Sequence, residues 1–101
     1  MPSYELTEDA ESDLREIWRY TCNRWSEKQA DLYLDALKAG CERLATGEAL
    51  CKTFPQIHPH LKSCRCEQHY LFFLQAENLP PVVIAFLHKR MDLLTRLQER
   101  L

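Results

Sequence analysis

His69-Tyr70-Leu71-Phe72-Phe73-Leu74-Gln75, the turn Asn78-Leu79-Pro80-Pro81 and Val82-Val83-Ile84-Ala85-Phe86-Leu87-His88 make up most of residues 69–88, which read as two strands at hairpin spacing. The Pro-Pro pair has no N–H to give a ladder, so it belongs to the connection. Both runs are apolar on both faces instead of alternating. One layer of helix covers only one face of a sheet. The other would leave apolar surface in water at roughly 25 cal/mol per Å².

Working outward, residues 63–68 form a third strand, and Pro55 and Pro59 mark 53–62 as a loop. Toward the N-terminus, Tyr4-Glu5-Leu6 reads as a short first strand, followed by Thr7 as a hydroxyl N-cap with Glu8, Asp9 and Glu11 in the first helical turn. Ala10, Leu14, Ile17, Trp18, Thr21 and Trp25 then recur as one helical stripe. Ser26-Glu27-Lys28-Gln29 opens a second helix with a capping-box pattern, its stripe runs Ala30, Tyr33, Leu34, Leu37, Cys41, Leu44, and Gly47 supplies the stop. Two long helices with almost no linker fold back as an antiparallel hairpin, with Trp18 and Trp25 expected in its core. Residues 91–101 return to helical spacing through Leu94, Leu97 and Leu101. The predicted fold is α+β: an N-terminal strand, an α-helical hairpin packed on a small antiparallel sheet, and a short C-terminal helix, in the order β-α-α-β-β-β-α. That last helix is about three turns long, so a partner chain is expected on the second sheet face.

At 101 residues the chain has room for one domain, and 46% apolar with 28% charged residues is a soluble globular composition. The longest apolar run, 82–87, is far short of the roughly 20 residues a membrane span needs. The start carries no basic, apolar leader pattern, so a cytoplasmic protein is expected. The formal net charge of −2 conceals an asymmetry. Residues 1–50 hold eleven acids and six bases, whereas residues 51–101 hold four acids and seven bases. One acidic and one basic region follow, and the basic one suits an acidic or nucleic-acid-bearing partner. The five cysteines contain no Cys-x-x-Cys pair, and Cys64 and Cys66 on one strand face lie about 6–7 Å apart. Reduced structural thiols are expected, with no metal and no cofactor. His58-Pro59-His60 reads as loop.

The opening 4–17, Tyr-Glu-Leu-Thr-Glu-Asp-Ala-Glu-Ser-Asp-Leu-Arg-Glu-Ile, resembles the start of ParE-type toxins of the RelE/ParE superfamily, as do Trp25-Ser26, Gln29-Ala30 and Tyr33. Cys64-Arg65 with His69-Tyr70-Leu71-Phe72-Phe73 is similar to that family's central hairpin, and 84–92, Ile-Ala-Phe-Leu-His-Lys-Arg-Met-Asp, to its last strand and "LH-x-R-x-D" signature. The resemblance covers nearly the whole chain in order, as a single toxin domain over 1–101. It implies the toxic component of a bacterial type II toxin–antitoxin system that inhibits DNA gyrase and blocks replication. A cognate, partly disordered antitoxin would fold onto it, and operator DNA would be met only through that antitoxin.

On that reading no residue is catalytic. Arg65, Lys89 and Arg90 engage the target. Tyr70, Phe72, Leu74, Val83, Phe86 and Leu97 take the antitoxin, and a His88–Asp92 hydrogen bond fixes the turn after the last strand. The alternative within the superfamily is a ribosome-dependent mRNA endonuclease. It needs a base for the 2′-OH and cations on the phosphate, which His88 with Arg65, Arg90 and Lys89 would supply. RelE-type members use a Tyr or His near the chain end, and residues 93–101 have neither. A third reading is a non-catalytic binding or regulatory module on the same fold.

Overall fold

The computed structural model describes residues 4–101. In chain order they form β1 (Glu5–Leu6), α1 (Glu8–Arg24), α2 (Glu27–Thr46), β2 (Lys52–Thr53), β3 (Leu61–Cys66), β4 (His69–Leu74), β5 (Val82–His88) and α3 (Leu93–Arg100). The helix ends follow local chemistry. Thr7 Oγ1 accepts from the Ala10 N–H at 3.1 Å and Ser26 Oγ from the Gln29 N–H at 3.0 Å, satisfying donors that a helix start leaves open. Gly47 stops α2 in the left-handed region at φ 80°, its N–H bonding back to α2.

The sheet order is β1-β5-β4-β3-β2. Pairing is antiparallel from β2 to β5, while β1 lies parallel to β5, Glu5 opposite Val82 and Leu6 opposite Val83, because the α1–α2 hairpin and the other strands intervene between them. The sheet is therefore mixed. β2 falls at the edge of a stretch that reads as loop, since two exposed residues carry no periodic pattern. β3 and β4 meet at a two-residue turn, with Glu67 in the left-handed region at φ 58°. In β5, Val83 faces Phe73 and Ala85 faces Phe72, so Ile84 is an extra, unpaired residue: a β-bulge.

The two apolar faces both find cover inside the chain. On one face, Leu14, Leu37, Cys41 and Leu44 of the hairpin pack with Leu71, Phe73, Val83 and Phe86. On the other, Leu97 of α3 joins Leu61, Phe72, Ile84, Ala85 and Leu87, with Leu93, Phe54 and Ile57 alongside. The expectation that a partner must cover the second face is therefore corrected. The short helix does not do it alone; Phe54 and Ile57 come from the segment that reads only as loop. Phe72, Val83, Phe86 and Leu97 are consequently buried within the chain (2%, 0%, 3% and 2% exposed), and of the six residues assigned to the antitoxin only Tyr70 and Leu74 are half-exposed.

The tryptophans also depart from expectation. Trp25 lies one residue beyond α1, in the turn between the helices, and is 71% exposed with the Arg24 guanidinium 6.0 Å from its ring. Trp18 is half-buried and ties α1 to α2 by donating its indole N–H to Asp31 Oδ1 at 2.9 Å. Among the described residues no helix is long and apolar enough to cross a membrane.

Candidate functional site

β1 spans only two residues of β5, so among the described residues no strand lies beside the outer edge of β5 past Val83. Buried backbone groups without partners are costly, and here two side chains replace the missing strand. Asp13 of α1 accepts the Phe86 N–H at 3.0 Å, and Arg100 of α3 donates to the Ile84 carbonyl at 2.8 Å. The same two side chains form a bidentate pair, Arg100 to Asp13 at 2.9 and 2.8 Å, with Asp9 more distant at 3.8 Å. Hydrogen bonds to Asp13 push the Arg100 pKa upward against the opposing effect of burial. The bulge, the first helix and the last helix are thus fastened at one point. Sequence periodicity passes over this pair; the available signal is a carboxylate at position 13, between the stripe residues Ala10 and Leu14.

Between this clamp, the α1–α2 corner and the end of β5 lies a groove of about 620 Å³. Its floor includes Ile17, Thr21, Phe86 and Leu87; Tyr20, Trp25, Met91 and Arg96 stand at its walls. Tyr20 and Met91 are 67% and 45% exposed, so with Trp25 the groove presents large side chains to solvent. At one end sit Tyr33, His69 and His88. The Tyr33 hydroxyl accepts the Gln68 N–H at 3.1 Å and lies 2.7 Å from His69 Nδ1. Burial, and secondly the neighbouring His88, push the His69 pKa down to about 4, with Asp13 opposing. His69 is therefore neutral near pH 7 and shares a hydrogen bond between Nδ1 and the Tyr33 hydroxyl. The two imidazoles meet edge-on at 5.2 Å.

His88 does not bond to Asp92, correcting that expectation. Its Nδ1 accepts the Arg90 N–H at 3.1 Å, while Asp92 caps α3 by accepting the Thr95 N–H at 3.3 Å and its hydroxyl at 2.7 Å. Those bonds to Thr95 hold the Asp92 carboxyl below its usual pKa. Each residue stabilises the strand-to-helix turn separately, because the backbone of Arg90 folds back onto the ring before Asp92 comes within reach.

Arg65, Lys89 and Arg90 are all exposed. β3 and β5 run the same way on either side of β4, so their C-terminal ends emerge at one end of the sheet. The Lys89 N–H donates to the Gln68 carbonyl at 3.2 Å, tying the end of β5 to the β3–β4 turn, where Arg65 Nε donates to the Glu67 carbonyl at 3.3 Å. Among the described residues, no three His, Cys, Asp or Glu side chains group to hold a metal ion.

The family model described as "ParE toxin of type II toxin-antitoxin system, parDE" matches residues 4–93. The chain is 46% identical over 101 residues to "Toxin ParE" of Escherichia coli, covering 100% of this chain and 98% of that protein. It is 32% identical over 89 residues to "Toxin ParE1" of Mycobacterium tuberculosis, covering 88% and 91% respectively. "Toxin ParE1" of Caulobacter vibrioides is 27% identical over 92 residues. The chain belongs to the ParE toxin family of type II toxin–antitoxin systems.

Proposed function

We propose that this toxin acts on DNA gyrase by binding, without catalysing a reaction, and is neutralised by a cognate antitoxin. The observation that carries the non-catalytic reading is the state of His88. Its Nδ1 lone pair is taken by the Arg90 N–H, so that nitrogen takes a proton from a 2′-OH only by giving up the bond that holds the turn. His69, the other imidazole nearby, is buried and bonded to Tyr33. Arg65, Lys89 and Arg90 form a basic, exposed end suited to a target that carries DNA. The antitoxin occupies the groove beside β5, where Tyr20, Trp25 and Met91 offer apolar surface to a segment that orders on binding.

Induced expression without antitoxin tests the target. Filamentation with DNA-damage signalling, and loss of supercoiling by purified gyrase, are expected; rapid translation arrest with mRNA cleaved on the ribosome would instead establish the endonuclease. His88→Asn keeps an acceptor near the Arg90 N–H and is expected to retain killing. Arg90→Ala is expected to weaken it. A folded, antitoxin-binding His88→Asn chain that no longer kills, beside a fully toxic Arg90→Ala, overturns the proposal.

A further inference from the structure

The thiols of this chain are not equivalent. Cys41, Cys64 and Cys66 are buried, Cys22 is half-buried and Cys51 is exposed. Cys66 is committed, donating to the Ala36 carbonyl at 3.3 Å with the Arg43 guanidinium 3.8 Å away. Cys51 and Cys64 stand apart because of the strand register. Lys52 lies opposite Ser63 and Thr53 opposite Lys62, so one step further sets Cys51 opposite Cys64. The Phe54 N–H donates to the Leu61 carbonyl at 3.0 Å, making 54/61 a hydrogen-bonded pair. Such pairs alternate in an antiparallel ladder, so 52/63 is hydrogen-bonded and 51/64 is not. In a non-hydrogen-bonded pair the Cα atoms are about 4.5 Å apart and the side chains closest, within the range of roughly 4.4–6.8 Å that a disulfide spans. The two thiols are near enough for Cys51 to raise the Cys64 pKa, and the Cys51 thiol donates only to the local Ala49 carbonyl, at 3.5 Å.

We propose that Cys51 and Cys64 are a redox-modification site, in which exposed Cys51 meets a low-molecular-weight disulfide such as oxidised glutathione and Cys64 resolves the adduct into a cross-strand disulfide. The Cys51 thiolate attacks one sulfur of the oxidant, expelling one glutathione thiolate and leaving a mixed disulfide. Cys64 loses its proton to solvent and attacks Cys51 Sγ, expelling the second glutathione thiolate. Two protein thiols are oxidised and one disulfide is reduced to two thiols. Burial first, and then the Cys51 and Cys66 thiols against Arg43, push the Cys64 thiol up to about 11. The resolving step therefore quickens with pH, about tenfold per unit through neutrality. The bond closes the 51–64 segment, which carries Phe54 and Ile57 onto the second core.

The full chain treated with oxidised glutathione tests this by mass spectrometry and peptide mapping. The expected product is a monomer with a peptide linking positions 51 and 64, two hydrogens lighter, with no glutathione left on Cys51. Cys64→Ser is expected to hold one glutathione stably on Cys51, and Cys51→Ser to leave Cys64 reduced. A lasting adduct on Cys51 of the unaltered chain, a link joining other cysteines, or closure that persists in Cys51→Ser overturns the proposal. Mapping of the unaltered chain decides the matter even where a variant fails to fold.

Discussion

His69 shows how one residue couples burial to solution conditions. The ring faces Tyr33, His88 and Asp13, and its proton affinity falls from 6.5 to about 4 on folding. Between those values the unfolded chain binds a proton that the folded chain excludes, so stability declines as pH falls from 6.5 toward 4 and is unaffected by this group above 6.5. The size is about 3 kcal/mol. His69→Asn keeps an acceptor for the Tyr33 hydroxyl and has no titration in that window. Urea unfolding at pH 7 and pH 4 is expected to show a pH loss smaller by about that amount in the variant. Equal losses in the two chains would show that His69 is not the titrating group.

At the scale of elements, two contacts decide how helices meet the sheet. A Cβ on Gly40 of α2 would lie 2.8 Å from Cys66 Sγ and 3.2 Å from its Cβ. Alanine in an open helix interior gains about 1 kcal/mol over glycine. Here crowding against a side chain held by Ala36 and Arg43 costs about 1–3 kcal/mol, so Gly40→Ala is expected to be net destabilising, and Cys66→Ala in the same chain to recover part of the loss. Thermal unfolding of the unaltered chain, the single variant and the double variant checks this. α3 is the opposite case. Eight residues are too few to hold a helix alone in water, so it depends on Leu97 and on the Arg100–Asp13 pair. Leu97→Ala is expected to cost about 2–3 kcal/mol in equilibrium unfolding. Arg100→Ala leaves the Ile84 carbonyl without its donor, and α3 amides should exchange faster while those of β4 stay protected; unchanged exchange in α3 would refute the clamp.

Across the whole molecule, the acidic first half folds into the helical hairpin and the basic second half into most of the sheet. The chain therefore offers two different surfaces: an aromatic groove between the helices and β5, and a basic end of the sheet. The two adjoin at Gln68 and His88, so a residue at the far wall of the groove, such as Trp25, is the one that separates them. Trp25→Ala removes a side chain that is 71% exposed, so unfolding stability should change by about 0.5 kcal/mol at most while antitoxin affinity falls about tenfold or more. Calorimetric titration with the antitoxin checks it, and an unchanged affinity would exclude the groove wall from the interface.

The sequence by itself determined the two long helices and their limits, because caps, stops and stripes are local: Thr7, Ser26 and Gly47 end or begin their helices through bonds to residues within a turn. It missed β2 and set β3 two residues late. Its family motifs, in order along the chain, also determined the toxin family. Tertiary structure alone decided what the apolar strands face. Phe54 and Ile57 show no periodicity, yet they lie over the second core, and a bulge at Ile84 shifts which β5 residues look each way. It also decided that Asp13 and Arg100 meet, 87 residues apart, and that Trp25 leaves the core. Such pairings depend on where the sheet edge runs out of strand, a property of the assembled molecule that no single segment contains.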